Sequence, residues 1–325
     1  VIDDDLAGLC DRLRAAKGMA HKGDIAGAYR GLGSAISPCR IGDDCAAIPD
    51  PDGRGYSLFA IEGLLDDFVA REPWFAGYCG VMVNLSDVAA MGGRPTAVVD
   101  ALWSNGDEQA KPIWAGMVAA ARAYGVPIVG GHTNARSDAS RLAVAVLGRA
   151  KKLLTSFDAR PGDVLLAAID LRGTFFEPYP YWNCSTSAAP ERLRGDLDIL
   201  PGIAEDVLCA AAKDISMGGT LGTLLMLLES SGVGATVALD RIPRAATASL
   251  ERWLVSFPSY GYLLAVPPRN VEAVRDRFTA RGIACEAIGT CTASRNVTVT
   301  LAADEHVFWN LATTPFTGAS AYAAT

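Results

Sequence analysis

The sequence predicts an α/β protein of two domains. Apolar runs of strand length alternate with amphipathic segments of helix length from residue 40 onward. The length of 325 residues exceeds one minimal domain, and a 50% share of hydrophobic residues supplies material for more than one core. A cluster of turn residues, Ala159-Arg160-Pro161-Gly162-Asp163, breaks the pattern near the middle and marks the expected boundary. The expected parts are an arm at 1–37, a first domain at 38–158 and a second at 159–325.

The arm reads as polar and helical, with Leu6, Leu9 and Leu13 spaced for one face. The stretch Arg30-Gly31-Leu32-Gly33-Ser34 follows, either a mobile connection or a loop facing phosphate. In the first domain, Tyr56–Ile61 reads as a strand. Phe75–Met91 reads as a helix ended by Gly92-Gly93 and Pro95. Thr96–Trp103 reads as an apolar strand buried on both faces. Ile113–Tyr124 is a helix closed by Gly125, and Pro127–Val129 a short strand entering Gly130-Gly131. Leu142–Leu147 is another strand. The second domain opens with a strand at Val164–Ile169. Gly173–Arg194 has no clean period and reads as a long loop or a lid. Gly219–Ser231 is a helix, with Leu221, Leu224, Leu225 and Leu228 on one stripe and Gly232 to end it. A strand at Ala235–Leu239, a helix near Ala246–Leu254, a strand at Gly261–Val266, a helix at Val271–Arg281 and a strand at Ala284–Ile288 complete the set. The tail Gly318–Thr325 is expected to fray.

Composition removes several classes. The net charge of −7 argues against a nucleic-acid binder. The eight cysteines are dispersed and form no C-x-x-C pair, which suits buried thiols in a reducing compartment. Three histidines, His21, His132 and His306, offer no paired zinc spacing. The acidic opening Val-Ile-Asp-Asp-Asp is unlike a secretory leader, and no apolar run reaches membrane-spanning length. A soluble cytoplasmic protein without membrane or nucleic-acid partners is expected. There is no Walker loop, dinucleotide fingerprint, kinase catalytic loop or nucleophile elbow.

Three segments carry candidate chemistry. In Gly42-Asp43-Asp44 two adjacent carboxylates repel, so they prefer water or a bound hard cation such as Mg²⁺. A solvated turn is the alternative. On the helix around Asn84-Leu85-Ser86-Asp87, the pair Asn84 and Asp87 falls one turn apart among apolar residues. A carboxylate there needs partners: a metal, or an internal hydrogen bond with Asn84. In Asp214-Ile215-Ser216-Met217-Gly218-Gly219, small residues at a helix start present N–H groups suited to phosphate, with Asp214 placed to hold a cation. Ser216 as a simple helix cap is the alternative. Glu62, and Gly130-Gly131 after a strand, are further polar points where a ligand can approach.

These segments occur in the order found in the aminoimidazole ribonucleotide synthetase superfamily, which the chain resembles over about residues 40–290. The string Asn84-Leu85-Ser86-Asp87-Val88-Ala89-Ala90-Met91-Gly92-Gly93-Arg94-Pro95 carries most of that resemblance. The superfamily includes formylglycinamidine ribonucleotide synthetase, thiamine monophosphate kinase, selenophosphate synthetase and a hydrogenase maturation protein. The resemblance implies an N-terminal α/β domain whose strands join a partner's in a dimeric barrel, then a C-terminal α/β sandwich domain. It implies ATP with Mg²⁺, and transfer or use of the γ-phosphoryl group. It gives Asp44, Asp87 and Asp214 as metal-binding aspartates, and Ser216 as a phosphate contact. Glu62 stands where an aspartate is usual. His132 and Met217 replace acids of thiamine monophosphate kinase, and Phe257–Leu264 replaces its acidic substrate string. Thiamine monophosphate is therefore not the expected substrate. Cys10 and Lys17 lack the glycine-rich setting of the selenophosphate synthetase nucleophile.

The expectation is an ATP- and Mg²⁺-dependent transferase or ligase acting on a small substrate as a homodimer. Asp44 and Asp87 would be catalytic. Asp43, Asp44, Glu62, Asp87 and Asp214 would be metal ligands, with Asn84, Gly130, Gly131, Ser216, Gly218 and Gly219 at the nucleotide. The arm, with Lys17, Lys22 and Arg30, would close over the site. The rival expectation is a nucleotide-binding protein or scaffold that has lost turnover.

Overall fold

The structure, a computed structural model, describes residues 5–32 and 39–318. Gly33 and Ser34 of the expected glycine loop, and all but the first residue of the expected tail, lie outside the described residues. In chain order the elements begin with α1 (Leu6–Arg14), α2 (Lys17–Gly23), α3 (Ile25–Leu32), β1 (Ala46–Pro49) and β2 (Tyr56–Gly63). Next come α4 (Asp66–Arg71), α5 (Pro73–Ala90), β3 (Arg94–Asn105), α6 (Asp107–Tyr124), β4 (Ile128–Asn134) and β5 (Arg136–Ala150). Then follow β6 (Val164–Ile169), β7 (Thr174–Phe176), β8 (Tyr181–Asn183), α7 (Pro190–Leu197), α8 (Ile199–Glu205) and β9 (Ala211–Asp214). The last are α9 (Gly219–Ser231), β10 (Gly234–Ala238), α10 (Leu250–Leu254), β11 (Phe257–Pro258), β12 (Gly261–Val266), α11 (Val271–Thr279), β13 (Ala284–Thr292), β14 (Asn296–Leu301) and β15 (Asp304–Asn310).

Contacts divide the chain into two compact units. The central unit comprises Asp44–Leu153 and Ser185–Glu205; the terminal unit comprises Val1–Asp43, Leu154–Cys184 and Asp206–Thr325.

The central unit holds a five-stranded sheet in the order β1-β2-β5-β3-β4. Only β3 and β4 run parallel, because α6 makes the crossover between them. Helix α5 is buried on almost all sides, which explains its nearly continuous apolar sequence. It meets α6 at very short range. A Cβ at Gly77 would stand 2.1 Å from the Ile113 carbonyl oxygen, and one at Gly116 would stand 1.9 Å from that of Trp74. Gly93 and Gly148 leave room for Leu58 and Val88 in the same way.

Strand β3 departs from the expected burial on both faces. Val98 and Leu102 are buried, but Val99 is 39% exposed. Register places Val99 on one face with Ile48, Phe59, Ile61 and Leu147, all exposed. The helices cover only the other face, so the apolar residues of this one stand open. Among the described residues the sheet is open rather than a closed barrel.

The terminal unit holds a seven-stranded sheet, β15-β14-β10-β13-β6-β12-β9, and a small sheet, β11-β8-β7. Strands β7 and β8 of the small sheet and the start of α7 occupy about half of 173–194, so that stretch is not a bare loop. The arm begins docked. Leu6, Leu9, Cys10 and Leu13 are buried, and Arg14 donates to the carbonyls of Phe308 at 2.9 Å and Val307 at 3.0 Å. The helix expected near Ala246–Leu254 is one turn at Leu250–Leu254, because Ser249 accepts from the Arg252 N–H and starts it late.

Candidate metal and phosphate site

In the central unit, α5 carries Asp87 at 7% exposure and Asn84 at 0%. Asn84 does not pair with Asp87. Its Nδ2 donates to the Gly80 carbonyl at 2.7 Å, one turn back, and its Oδ1 is buried without a hydrogen-bond partner. The alternative of a closed Asn84–Asp87 pair is therefore not what the helix builds. The Asp87 carboxylate instead lies within 4.8 Å of that of Asp44, which enters just before β1. Two carboxylates this close repel, and hard oxygen donors at such spacing suit a divalent cation such as Mg²⁺.

Glu62 and Asp43 are placed differently. Glu62 is exposed near the end of β2, on the face of Leu58 and Ala60, and stands outside the Asp44–Asp87 group. Asp43 belongs to the terminal unit and turns to Ser156. Its Oδ2 accepts the Ser156 N–H at 2.8 Å and its Oδ1 accepts the Ser156 hydroxyl at 2.6 Å. Both oxygens of this carboxylate thus hold Ser156, one by its backbone and one by its hydroxyl, while the next residue, Asp44, lies by Asp87.

Gly130 and Gly131 sit on the edge strand β4. A Cβ at Gly130 would meet nothing within 4 Å. A Cβ at Gly131 would stand 2.4 Å from Asp100 Oδ1, so Gly131 is required by the side chain beside it. Sequence reading passed over Asp100 because it lies inside an apolar run. It is half-buried, and desolvation holds its carboxyl above the ordinary carboxylate range. His132 is exposed, with its ring 6.3 Å from that of Trp103.

In the terminal unit, Asp214 ends β9 at 3% exposure, paired in register with Tyr262. The chain then turns. The Ile215 N–H donates to the Gly261 carbonyl at 2.8 Å and the Ser216 N–H to Thr223 Oγ1 at 3.1 Å. Ser216 does not cap α9, which begins at Gly219, and its Oγ is buried without a partner. Gly219 has φ +65°, and a Cβ there would stand 2.1 Å from the Leu254 carbonyl oxygen. That glycine has a packing reason independent of any ligand. The turn still leaves a hydroxyl and a 13-residue helix start side by side, a geometry suited to an anion.

Comparison with known proteins bears on the family and the fold. The family model of the AIR synthase related protein N-terminal domain matches residues 42–150, and that of its C-terminal domain matches 184–302. An uncharacterized protein of Synechocystis is 49% identical over 321 residues, covering 96% of this chain and 98% of its own. The thiamine-monophosphate kinase of Halobacterium salinarum is 29% identical, covering 73% of this chain and 83% of its own. The selenide, water dikinase of Myxococcus xanthus is also 29% identical, with 74% and 70% covered. Among solved structures, Thermotoga maritima PurL complexed with ADP superposes with a TM-score of 0.75 at 20% identity over 90% of this chain. The chain spans about half (51%) of that PurL chain. AaThiL complexed with AMPPCP and TMP gives a TM-score of 0.67 at 19% identity, covering 88% and 95%. With both domain models matched in order across most of its length, the chain belongs to the AIR synthase related protein family.

Proposed function

We propose that the protein is an ATP- and Mg²⁺-dependent enzyme that uses the γ-phosphoryl group to phosphorylate or activate a small substrate. The observation that carries this reading is the Asp44–Asp87 carboxylate pair on and beside an otherwise apolar buried helix. Family relatives that are kinases and dikinases support the reaction class. Asp44 and Asp87 hold the metal, with Asp214 as a third ligand. The Ser216 hydroxyl and the Gly218–Gly219 backbone bind phosphate oxygens, while Gly130 leaves room for a ligand to approach. A bound Mg²⁺ supplies charge neutralisation of the phosphate oxygens as the phosphoryl group transfers. The protein's own part is positioning, with Asp87 Oδ2 buried and without a hydrogen-bond partner of its own. Asp43 itself positions Ser156, and Glu62 has no assigned role.

The test is one variant, Asp87→Asn, titrated with ATP in Mg²⁺ and again in EDTA. Removing one of two close negative charges is expected to leave apo stability unchanged or raise it by about 1 kcal/mol. Mg²⁺-ATP binding is expected to weaken at least about tenfold, equal to ~1.4 kcal/mol. A lower melting temperature with unchanged Mg²⁺-ATP affinity would refute the metal-ligand role. Binding without turnover on any small phosphoryl acceptor would favour the scaffold reading, for which the displaced Glu62 and the exposed His132 speak.

A further inference from the structure

Within the terminal unit, the turn at 155–159 fastens three segments that are far apart in sequence. The first is β9. The Thr155 N–H donates to the Ala210 carbonyl at 2.9 Å, and the Thr155 carbonyl accepts the Ala212 N–H at 3.3 Å, so Thr155 forms a parallel bridge to Ala211. The same strand ends at Asp214. The second is the end of α9. The Ser231 hydroxyl donates to the Ser156 carbonyl at 2.8 Å, and its oxygen accepts the Ala159 N–H at 3.0 Å. The third is the segment that leads into Asp44. Asp43, the residue before it, accepts both the N–H and the hydroxyl of Ser156.

Ser156 sits at the centre of these ties. It is 0% exposed, and its N–H, hydroxyl and carbonyl are all engaged. The turn is stiff in its own right. The Thr155 hydroxyl donates to Asp158 Oδ2 at 2.6 Å and accepts the Phe157 N–H at 3.1 Å, and the Arg40 guanidinium lies 4.1 Å over the Phe157 ring. A carboxylate that accepts from a backbone N–H and a hydroxyl together makes a strong, directional anchor. A single peptide unit separates that anchor from Asp44. A small divalent cation demands oxygen ligands at set distances, and the groups behind the ligands set those distances.

We propose that Asp43 and Ser156 form a positioning clamp for the metal site. The clamp holds the backbone that delivers Asp44 in register with β9, the strand that delivers Asp214. Asp43 is thereby a positioning residue and not a metal ligand. The inference rests on the metal reading above, which assigns Asp44 and Asp214 to one divalent cation.

The test titrates Mn²⁺, which suits the same hard oxygen ligands, into wild type, Ser156→Ala, Ser231→Ala, Asp43→Asn and the double variant of Ser156→Ala with Asp43→Asn. Free Mn²⁺ is read by its paramagnetic resonance, each protein well below its own melting temperature. Ser156→Ala touches no assigned ligand, yet it is expected to weaken Mn²⁺ about tenfold, the low end for a group acting behind a ligand. Asp43→Asn should do the same. The double variant should lose no more than the weaker single, because both changes open one clamp. Ser231→Ala loosens the same turn from its other side and should weaken Mn²⁺ in the same direction, so the test stands if one variant does not fold. Wild-type Mn²⁺ affinity in both serine variants overturns the proposal, even with lowered melting temperatures, since it leaves the turn a purely structural tie. Additive losses in the double variant overturn it as well, since they make Asp43 a ligand in its own right. A wild type that binds no Mn²⁺ at all overturns the metal reading itself, and this inference with it.

Discussion

Asp100 is a carboxylate held against its preference. It stands on β3 with its oxygen against the backbone of Gly131, where burial makes ionisation costly. Its folded pKa is raised above the unfolded value, so the folded state holds the proton more tightly. The destabilisation is therefore absent below the ordinary 3.8 and fully present once the pH exceeds the raised folded value. Asp100→Asn is expected to raise the melting temperature at pH 7, with the gain shrinking as the pH is lowered toward 4. Equal gains at both pH values would show that the effect is not ionisation. The thiols follow the same logic. Burial pushes Cys209, Cys285 and Cys291 up to about 12, which makes them poor nucleophiles and fits their reading as small apolar fillers.

Two glycines that look alike in sequence differ once their elements are built. Gly219 combines φ +65° with a carbonyl 2.1 Å from its Cβ position, where α9 leaves its turn beside the end of α10. Gly130 has open space around it on β4. Gly219→Ala is expected to cost more than about 2 kcal/mol, from left-handed strain plus the clash. Gly130→Ala should stay within about 0.5 kcal/mol, like other surface changes. Chemical denaturation of the two variants checks the contrast. Elements were legible where period and punctuation agreed. The leucine stripe ended by Gly232 gave Gly219–Ser231, and the apolar runs gave Val164–Ile169 and Gly261–Val266. β9 was missed because Lys213 and Asp214 occupy half of a buried strand, and polar residues mask the apolar signal. In the candidate site, the Asn84–Pro95 motif pointed to Asp87, whose carboxylate the fold brings within 4.8 Å of that of Asp44. The diversion of Asp43 was hidden because its partner Ser156 lies 113 residues away.

At the scale of the whole molecule, the bare face of the central sheet calls for a covering surface. Ile61 is 63% exposed, Phe59 48%, Ile48 and Leu147 46% each, and Val99 39%, all on one face. A contiguous apolar patch of this kind marks an interaction surface. We propose that a second copy of the chain covers it, which is the homodimer the family resemblance implies. Light scattering at micromolar concentration is expected to give twice the monomer mass. Ile61→Asp should shift it to the monomer without unfolding the chain, because the substituted side chain points away from α5. A monomer mass for the wild type would end this proposal. No helix among the described residues is long and apolar enough to cross a membrane, so a membrane-spanning helix does not account for the face.

The docking of α1 on β15 sets a schedule for synthesis. Arg14 and its carbonyl acceptor in Phe308 are 294 residues apart, and β15 is the last strand among the described residues. At ribosomal rates of about 5–20 residues per second, α1 waits roughly 15–60 s for its partner. The larger segment of the central unit, Asp44–Leu153, emerges whole during that interval. The terminal unit cannot close its seven-stranded sheet until β15 has left the exit tunnel. Its first helix therefore spends that time with Leu6, Leu9, Cys10 and Leu13 in the open, a stretch for a nascent-chain chaperone to shield.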